Sequence, residues 1–206
     1  MSAPPLPNEP SAPADPIAHF QLLLDEARRI DRSVLPEPTA MTVASVNDAL
    51  HPSARIVLLK DVDARGFVFY TNYESRKGRE LLAHPWAALC FHWQVLERQV
   101  RVEGPVEQVS DAEADAYFAS RARMSRIGAW ASRQSETLAS DAVLEQRVHD
   151  VEARFAGGDV PRPPNWSGFR VVPSTIEFWH QRPYRLHERL VYERHDTGWR
   201  VRRLFP

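Results

Sequence analysis

Arg185, His187 and Arg189 stand at alternate positions in the run Arg-Leu-His-Glu-Arg. Two guanidinium groups flanking an imidazole can bind an anionic, hydrogen-bonding ring and can move a proton beside it. The run has strand character through Leu186, Leu190, Val191 and Tyr192, and it closes on the turn signal Asp196-Thr197-Gly198. Side chains alternate along a strand, so Arg185, His187 and Arg189 are expected on one face and Leu186, Glu188 and Leu190 on the other. A solvated strand face would carry the same residues. The setting favours a site, because the stripe lies between Ile176-Glu177-Phe178-Trp179 and the apolar segment 199–205, both expected to pair with it in one sheet.

Three further groups could bind an anion. In the run Arg55, Ile56, Val57, Leu58, Leu59, Lys60, aliphatic residues lie between two fixed charges. They suggest a strand buried on both faces whose ends reach something negative. Five strand steps span roughly 16 Å, although on a regular strand Arg55 and Lys60 would point to opposite faces. Ser75-Arg76-Lys77-Gly78 places two cations at a helix start, against the favourable sign of the macrodipole. A phosphate there would suit both the helix N-terminus and the charges, and a solvated basic turn is the alternative. Tyr117, Arg121 and Ser125 recur every four residues. On an unbroken helix they share one face over about 12 Å, and a phenol, a guanidinium and a hydroxyl form a donor set for a phosphate. Equally, Tyr117 could be core and Arg121 solvated. Gln134 and Ser135 follow as possible hydrogen-bonding partners.

The elements that must position these groups can be read in order. Residues 1–14 are rich in Pro, Ala and Ser and lack aromatic residues, which predicts a disordered arm. Asp15-Pro16 predicts a helix N-terminus, with Ile17, Phe20, Leu24 and Ala27 on the buried face of a helix reaching about residue 32. Strands are expected at 40–46, around 55–60, at 67–71, 86–93 and 99–106, with a short helix at about 76–84. Ser110 and Glu113 make a capping box, and a second amphipathic helix is expected at about 140–156. Pro161-Arg162-Pro163-Pro164 reads as a stiff connector. With no linker and no repeat, residues 15–206 are expected to form one domain.

Composition limits the function. The 206 residues carry a formal net charge of −1 and are 43% hydrophobic, which points away from nucleic acid or an anionic membrane as the main partner. One cysteine, Cys90, sits in an apolar run and reads as a small core residue. It rules out an intrachain disulfide and fits a reducing cytoplasm. No apolar stretch approaches the ~20 residues of a membrane span. There is no Gly-x-Gly-x-x-Gly, P-loop or Gly-x-Ser-x-Gly. His187-Glu188 does not continue as a zinc-binding helix, because Val191 stands where the second histidine would be. No metal site is expected. Dispersed Arg and Lys on a β-rich frame with many aromatics point to a phosphorylated aromatic cofactor.

These runs, together with Tyr70-Thr71, Arg98-Gln99-Val100, Ile127-Gly128-Ala129-Trp130 and Phe178-Trp179 in this order, resemble the pyridoxine/pyridoxamine 5′-phosphate oxidase family. The resemblance covers about residue 15 to the C-terminus. It implies an α+β, β-rich FMN-binding split β-barrel with flanking helices, acting as a homodimer with FMN at the subunit interface. The implied reaction is vitamin B6 salvage: oxidation of pyridoxamine or pyridoxine 5′-phosphate to pyridoxal 5′-phosphate, with O2 becoming H2O2. The family's FMN contacts would fall on residues 55–60, Tyr70, Thr71, Arg76, Lys77, Gln99, Gln134, Ser135, Trp179 and Arg189. Substrate phosphate would meet Lys60, Tyr117, Arg121 and Ser125, and the pyridine part Arg185, Leu186 and His187. Arg185 and His187 are the implied catalytic pair, polarising and orienting the ring while the cofactor carries the redox chemistry.

Three positions depart from the family pattern. Residues 1–14 contain no Arg, Lys or Tyr and so lack its Arg-x-x-Tyr lid. Glu37 replaces an Asp near the catalytic arginine, and His180-Gln181-Arg182-Pro183-Tyr184 replaces a turn that usually contains glycine. A related flavin oxidase of phenazine biosynthesis is the alternative enzyme, although a non-phosphorylated tricycle has no use for Tyr117, Arg121 and Ser125. A module that binds FMN or pyridoxal phosphate without turnover is the non-enzymatic alternative.

Overall fold

The computed structural model describes residues 13–196 and 198–206. Residues 1–12 of the expected arm, and the turn residue Thr197, lie outside the described residues. Asp15 caps α1 (Pro16–Arg29) by accepting from the Ile17 amide at 2.9 Å. Ile17, Phe20, Leu24 and Ala27 are the helix's buried apolar face, as their spacing requires. Phe20 meets Phe67 and Phe91 at ring-centroid distances of 4.8 Å and Trp93 at 5.9 Å. Each such fully buried side chain contributes about 1.5–3 kcal/mol.

The strands are β1 (Ala40–Val46), β2 (Pro52–Leu58), β3 (Asp61–Asp63), β4 (Gly66–Asn72), β5 (Trp86–Trp93), β6 (Arg98–Gln108), β7 (Trp166–Val171), β8 (Thr175–His180), β9 (Glu188–His195) and β10 (Gly198–Arg203). Every pairing is antiparallel. The main path runs β10-β9-β8-β6-β5-β1-β2, and β3-β4-β7 joins it through the far end of β6. The long β6 therefore serves both parts, and the sheet curls into a half-barrel around the aromatic core. Gly104 permits that curl, since a Cβ there would lie 1.9 Å from the Val172 carbonyl oxygen. Helices α2 (Arg76–Ala83), α3 (Asp111–Ser120), α4 (Arg123–Ala131) and α5 (Asp141–Arg154) flank the sheet.

Four local expectations are corrected. The strand at 55–60 ends at Leu58, and the chain crosses to β4, where the Lys60 amide donates to the Val68 carbonyl at 2.8 Å. That crossing removes the parity conflict between Arg55 and Lys60. Nor is the strand buried on both faces. β2 is the last strand on its path and leaves Ile56 64% exposed. The helix carrying Tyr117, Arg121 and Ser125 is broken: α3 stops at Ser120 and Arg121 is extended (φ −76°, ψ 147°). Finally, Arg185 and His187 precede β9. Residues Pro183–Arg185 form a 3-10 turn in which Tyr184 and Arg185 adopt left-handed φ of 60° and 62°, so the strand alternation expected of the stripe does not apply.

Candidate active site

A cavity of about 1050 Å³ lies between β2, β4, α2 and the α3–α4 junction. Small-molecule sites usually occupy roughly 300–1,000 Å³. Its walls carry five cations, Arg55, Lys60, Arg76, Lys77 and Arg121, and no carboxylate. Such a wall fits an anionic occupant.

At one end, the Ser75 hydroxyl accepts from the Gly78 amide and starts α2, which directs Lys77 inward. Lys77 is buried, and its ammonium donates to Thr71 Oγ1 at 3.0 Å, Gln134 Oε1 at 3.2 Å and Ser75 Oγ at 3.4 Å. All three partners are neutral. Burial first, and then the nearby Arg55 guanidinium, lower its pKa to about 8. A buried ammonium without a counterion is costly, and a phosphate would satisfy it. Arg76, by contrast, already has a carboxylate, since its Nε donates to Glu80 at 2.8 Å. Ser135 lines the same end with φ 76°.

At the other end, Tyr70, Tyr117 and Trp166 stack nearly parallel. The Tyr70 and Tyr117 centroids are 4.1 Å apart, and those of Tyr70 and Trp166 are 5.4 Å apart. Arg121 lies 4.7 Å from the Trp166 ring centroid and Lys60 6.0 Å from that of Tyr117. The NH1 nitrogen of Arg121 is buried with no hydrogen-bond partner among the described residues. Burial lowers the pKa of this guanidinium, opposed by Tyr117. An orphaned buried donor beside Lys60, a phenol and the Ser125 hydroxyl fits a second phosphate. The break after α3 swings these residues to one cavity although they share no continuous helix.

Of the residues expected to bind cofactor or substrate, the cavity gathers Arg55, Ile56, Val57, Leu58, Lys60, Tyr70, Thr71, Arg76, Lys77, Tyr117, Arg121, Ser125, Gln134 and Ser135. Leu59 instead points into the core, 4% exposed. The others form a second group on β6, β8 and β9. Gln99 pairs in register with Trp179, and Trp179 with Arg189. The His187 ring sits 4.6 Å from the Trp179 ring, and its Nδ1 accepts from the Arg182 amide at 3.2 Å, so the neutral ring carries its proton on Nε2. Arg189 donates to both oxygens of buried Glu177, at 2.8 and 3.2 Å, and Arg101 pairs with the same carboxylate. Arg185 and Leu186 are exposed beside them. From β8 to β2 the sheet path crosses β6, β5 and β1, four steps of about 4.8 Å or roughly 19 Å. Within one chain the two groups stay apart.

Glu37 accepts from the Thr39 amide and hydroxyl, at 3.2 and 2.6 Å, and so caps the turn into β1. Cys90 is a half-buried strand residue whose thiol burial pushes up, consistent with its packing role. Sequence reasoning missed Trp166, Ser53, Asn72 and Ser132 as cavity residues. Trp166 follows the Pro161–Pro164 connector and carried no periodic signal. No helix among the described residues is long and apolar enough to cross a membrane, and none of their His, Cys, Asp and Glu side chains cluster as metal ligands.

The comparisons with known proteins agree with this geometry. Residues 31–155 match the family model described as pyridoxamine 5′-phosphate oxidase. Residues 166–206 match the one described as the pyridoxine 5′-phosphate oxidase C-terminal dimerisation region. A pyridoxine/pyridoxamine 5′-phosphate oxidase of Myxococcus xanthus is 62% identical over 194 residues, covering 94% of this chain and 93% of that protein. One from Caulobacter vibrioides is 59% identical over 93% of this chain and 85% of its own length. Among solved structures, PhzG from Burkholderia lata, in complex with tetrahydrophenazine-1-carboxylic acid, superposes with a TM-score of 0.86 at 30% identity, with 95% of each chain covered. An FMN-binding protein from Nostoc punctiforme shares the fold, with a TM-score of 0.72 at 16% identity over 92% of this chain and 96% of its own. By its two family matches and its high identity to these relatives, this chain belongs to the pyridoxine/pyridoxamine 5′-phosphate oxidase family.

Proposed function

We propose that this protein is an FMN-dependent oxidase that converts pyridoxamine 5′-phosphate and pyridoxine 5′-phosphate to pyridoxal 5′-phosphate, using O2 and releasing H2O2. The observation that carries this is one cavity with two separate phosphate-type donor groups, one around Lys77 and one around Arg121. Two phosphorylated molecules, cofactor and substrate, are what such a wall suits. Bound FMN would supply the two-electron oxidation of the substrate's C4′ carbon and pass the electrons to O2.

In this scheme Lys77, Arg76 and Arg55 hold the FMN phosphate, with Thr71, Gln134 and Ser135 as neutral partners. Lys60, Tyr117, Arg121 and Ser125 hold the substrate phosphate and fix where its ring lies. The C-terminal dimerisation match supports a homodimer. We place FMN at its interface, because a two-fold partner would bring Gln99, Trp179, Arg185, His187 and Arg189 of one chain over the cavity of the other. The exposed Ile56 on the β2 edge is consistent with such a cover. Arg185 would then polarise the substrate ring, Leu186 would pack beside it, and the His187 Nε2–H would donate to a ring substituent. We assign the protein to the cytoplasm and residues 15–206 to a single oxidase domain.

The test is anaerobic mixing of the purified yellow protein with pyridoxamine 5′-phosphate while flavin absorbance is followed. Bleaching, and its reversal on admitting O2 with formation of pyridoxal 5′-phosphate, is expected. A flavin that stays oxidised would leave only a binding module, and bleaching indifferent to the substrate phosphate would favour the phenazine-type oxidase.

A further inference from the structure

Behind the cavity wall, and not lining it, lies the carboxylate of Glu80, 6% exposed on α2. Its Oε1 accepts from Arg76 Nε at 2.8 Å, while its Oε2 accepts from the hydroxyls of Ser45 at 2.5 Å and Ser53 at 2.6 Å and from Arg55 NH2 at 3.2 Å. The two hydroxyls also act as relays. Arg55 NH1 donates to Ser45 Oγ and Arg55 NH2 to Ser53 Oγ, each at 2.5 Å. One buried carboxylate thus ties β1, β2 and α2 together and fixes both guanidinium groups. Among the described residues only Nε of Arg76 is engaged, which leaves its terminal nitrogens for a ligand. Both terminal nitrogens of Arg55 are engaged, NH1 also on the Val43 carbonyl at 3.4 Å, which leaves its Nε. Burial alone would push the Glu80 carboxyl up, but the four hydrogen bonds outweigh it and hold it at about 2, so the anchor stays charged over the working pH range.

We propose that Glu80 is a positioning residue for flavin binding: it orients Arg55 and Arg76 toward the cofactor's phosphate and thereby sets the enzyme's preference for FMN over the unphosphorylated flavin. This rests on the FMN reading above. Two effects oppose each other, and their sign separates them. As a mere counter-charge, Glu80 would compete with the phosphate, and its removal would tighten FMN. As an anchor its removal frees two flexible cations, and the ordering lost then weakens FMN.

The experiment exchanges the flavin in the purified holoenzyme against riboflavin and quantifies both flavins on the protein at equilibrium. Glu80→Gln keeps the shape and removes the charge. The expected result is a fall in the FMN-to-riboflavin affinity ratio of about ten- to a hundredfold, the size of losing one or two charge-assisted bonds. Riboflavin affinity itself should be unchanged. Ser45→Ala, which removes one relay only, should lower the ratio by roughly three- to tenfold, and it stands in if Glu80→Gln does not fold. An unchanged or increased ratio in the variants overturns the anchor role, as does an equal loss of both flavins, which would mark Glu80 as purely structural. A wild-type protein that retains no FMN would instead overturn the cofactor reading on which the proposal depends.

Discussion

Replacing Arg121 by alanine separates phosphate recognition from fold maintenance. Among the described residues the Arg121 side chain pairs with no carboxylate, its NH1 nitrogen is buried without a partner, and its guanidinium lies over the rings of Trp166 at 4.7 Å and Phe118 at 5.5 Å. Its helix-ending role uses only the backbone, where its amide donates to the Phe118 carbonyl at 3.1 Å in an extended conformation that alanine adopts freely. Deletion therefore loses two cation–π contacts of about 0.5–2 kcal/mol each and relieves a desolvated charge, and these effects offset each other in the ligand-free protein. With phosphorylated substrate bound, a charge-assisted hydrogen bond worth about 1.5–3 kcal/mol disappears. At ~1.4 kcal/mol per tenfold, kcat/KM for pyridoxamine 5′-phosphate should drop by roughly tenfold to a few hundredfold. Turnover of unphosphorylated pyridoxamine, measured in the same oxygen-uptake assay, should barely change, and thermal unfolding should shift little. An equal loss on both substrates would show Arg121 to be structural and refute the phosphate assignment.

Lys77 should give FMN binding a pH dependence. Its pKa is depressed from 10.5 to about 8, so the ligand-free fold gains stability as pH rises from about 8 to 10.5, and a phosphate that favours the ammonium loses affinity over the same window. Fluorescence titration should show FMN affinity falling by up to roughly tenfold per pH unit above 8, and a flat profile would contradict a phosphate contact at Lys77. Arg185→Ala should slow anaerobic flavin reduction with FMN binding nearly intact. Arg189→Ala should weaken FMN while Glu177 keeps its pairing with Arg101, and equal FMN loss in both variants would show that the division of residues 185–189 is wrong. Gly168→Ala would place a Cβ 2.7 Å from Tyr70 Cδ1 and 3.0 Å from Val109 Cγ2. Displacing the Tyr70–Tyr117 stack should cost about 1–3 kcal/mol in chemical denaturation and raise KM for the phosphorylated substrate. An unchanged KM would separate that stack from substrate binding.

Local signals carried much of the fold. The Asp15-Pro16 start, the apolar face of Ile17, Phe20, Leu24 and Ala27, the Ser110–Glu113 capping box and the strand at 86–93 all depend on neighbours within a few residues, and each stands where the chain order alone placed it. Residue type and spacing alone singled out Arg55, Lys60, Arg76, Lys77, Tyr117, Arg121 and Ser125 as candidates, whereas Tyr70, Thr71, Gln99 and Trp179 rested on the family resemblance. Only the tertiary structure decided the rest. The break at Arg121 has neither Gly nor Pro to announce it, and the left-handed turn at Tyr184 extends into Arg185, where a strand was expected, without a glycine to mark it. Nothing in the sequence singles out Glu80, because β1 and β2 bring Ser45, Ser53 and Arg55 to it from 25 to 35 residues away. The exposure of Ile56 and the separation of Trp179 from Arg55 follow from strand order. Caps and periodicity are written in short stretches of chain, whereas strand order, and the counterions and partners it brings together, arise only from contacts between distant segments.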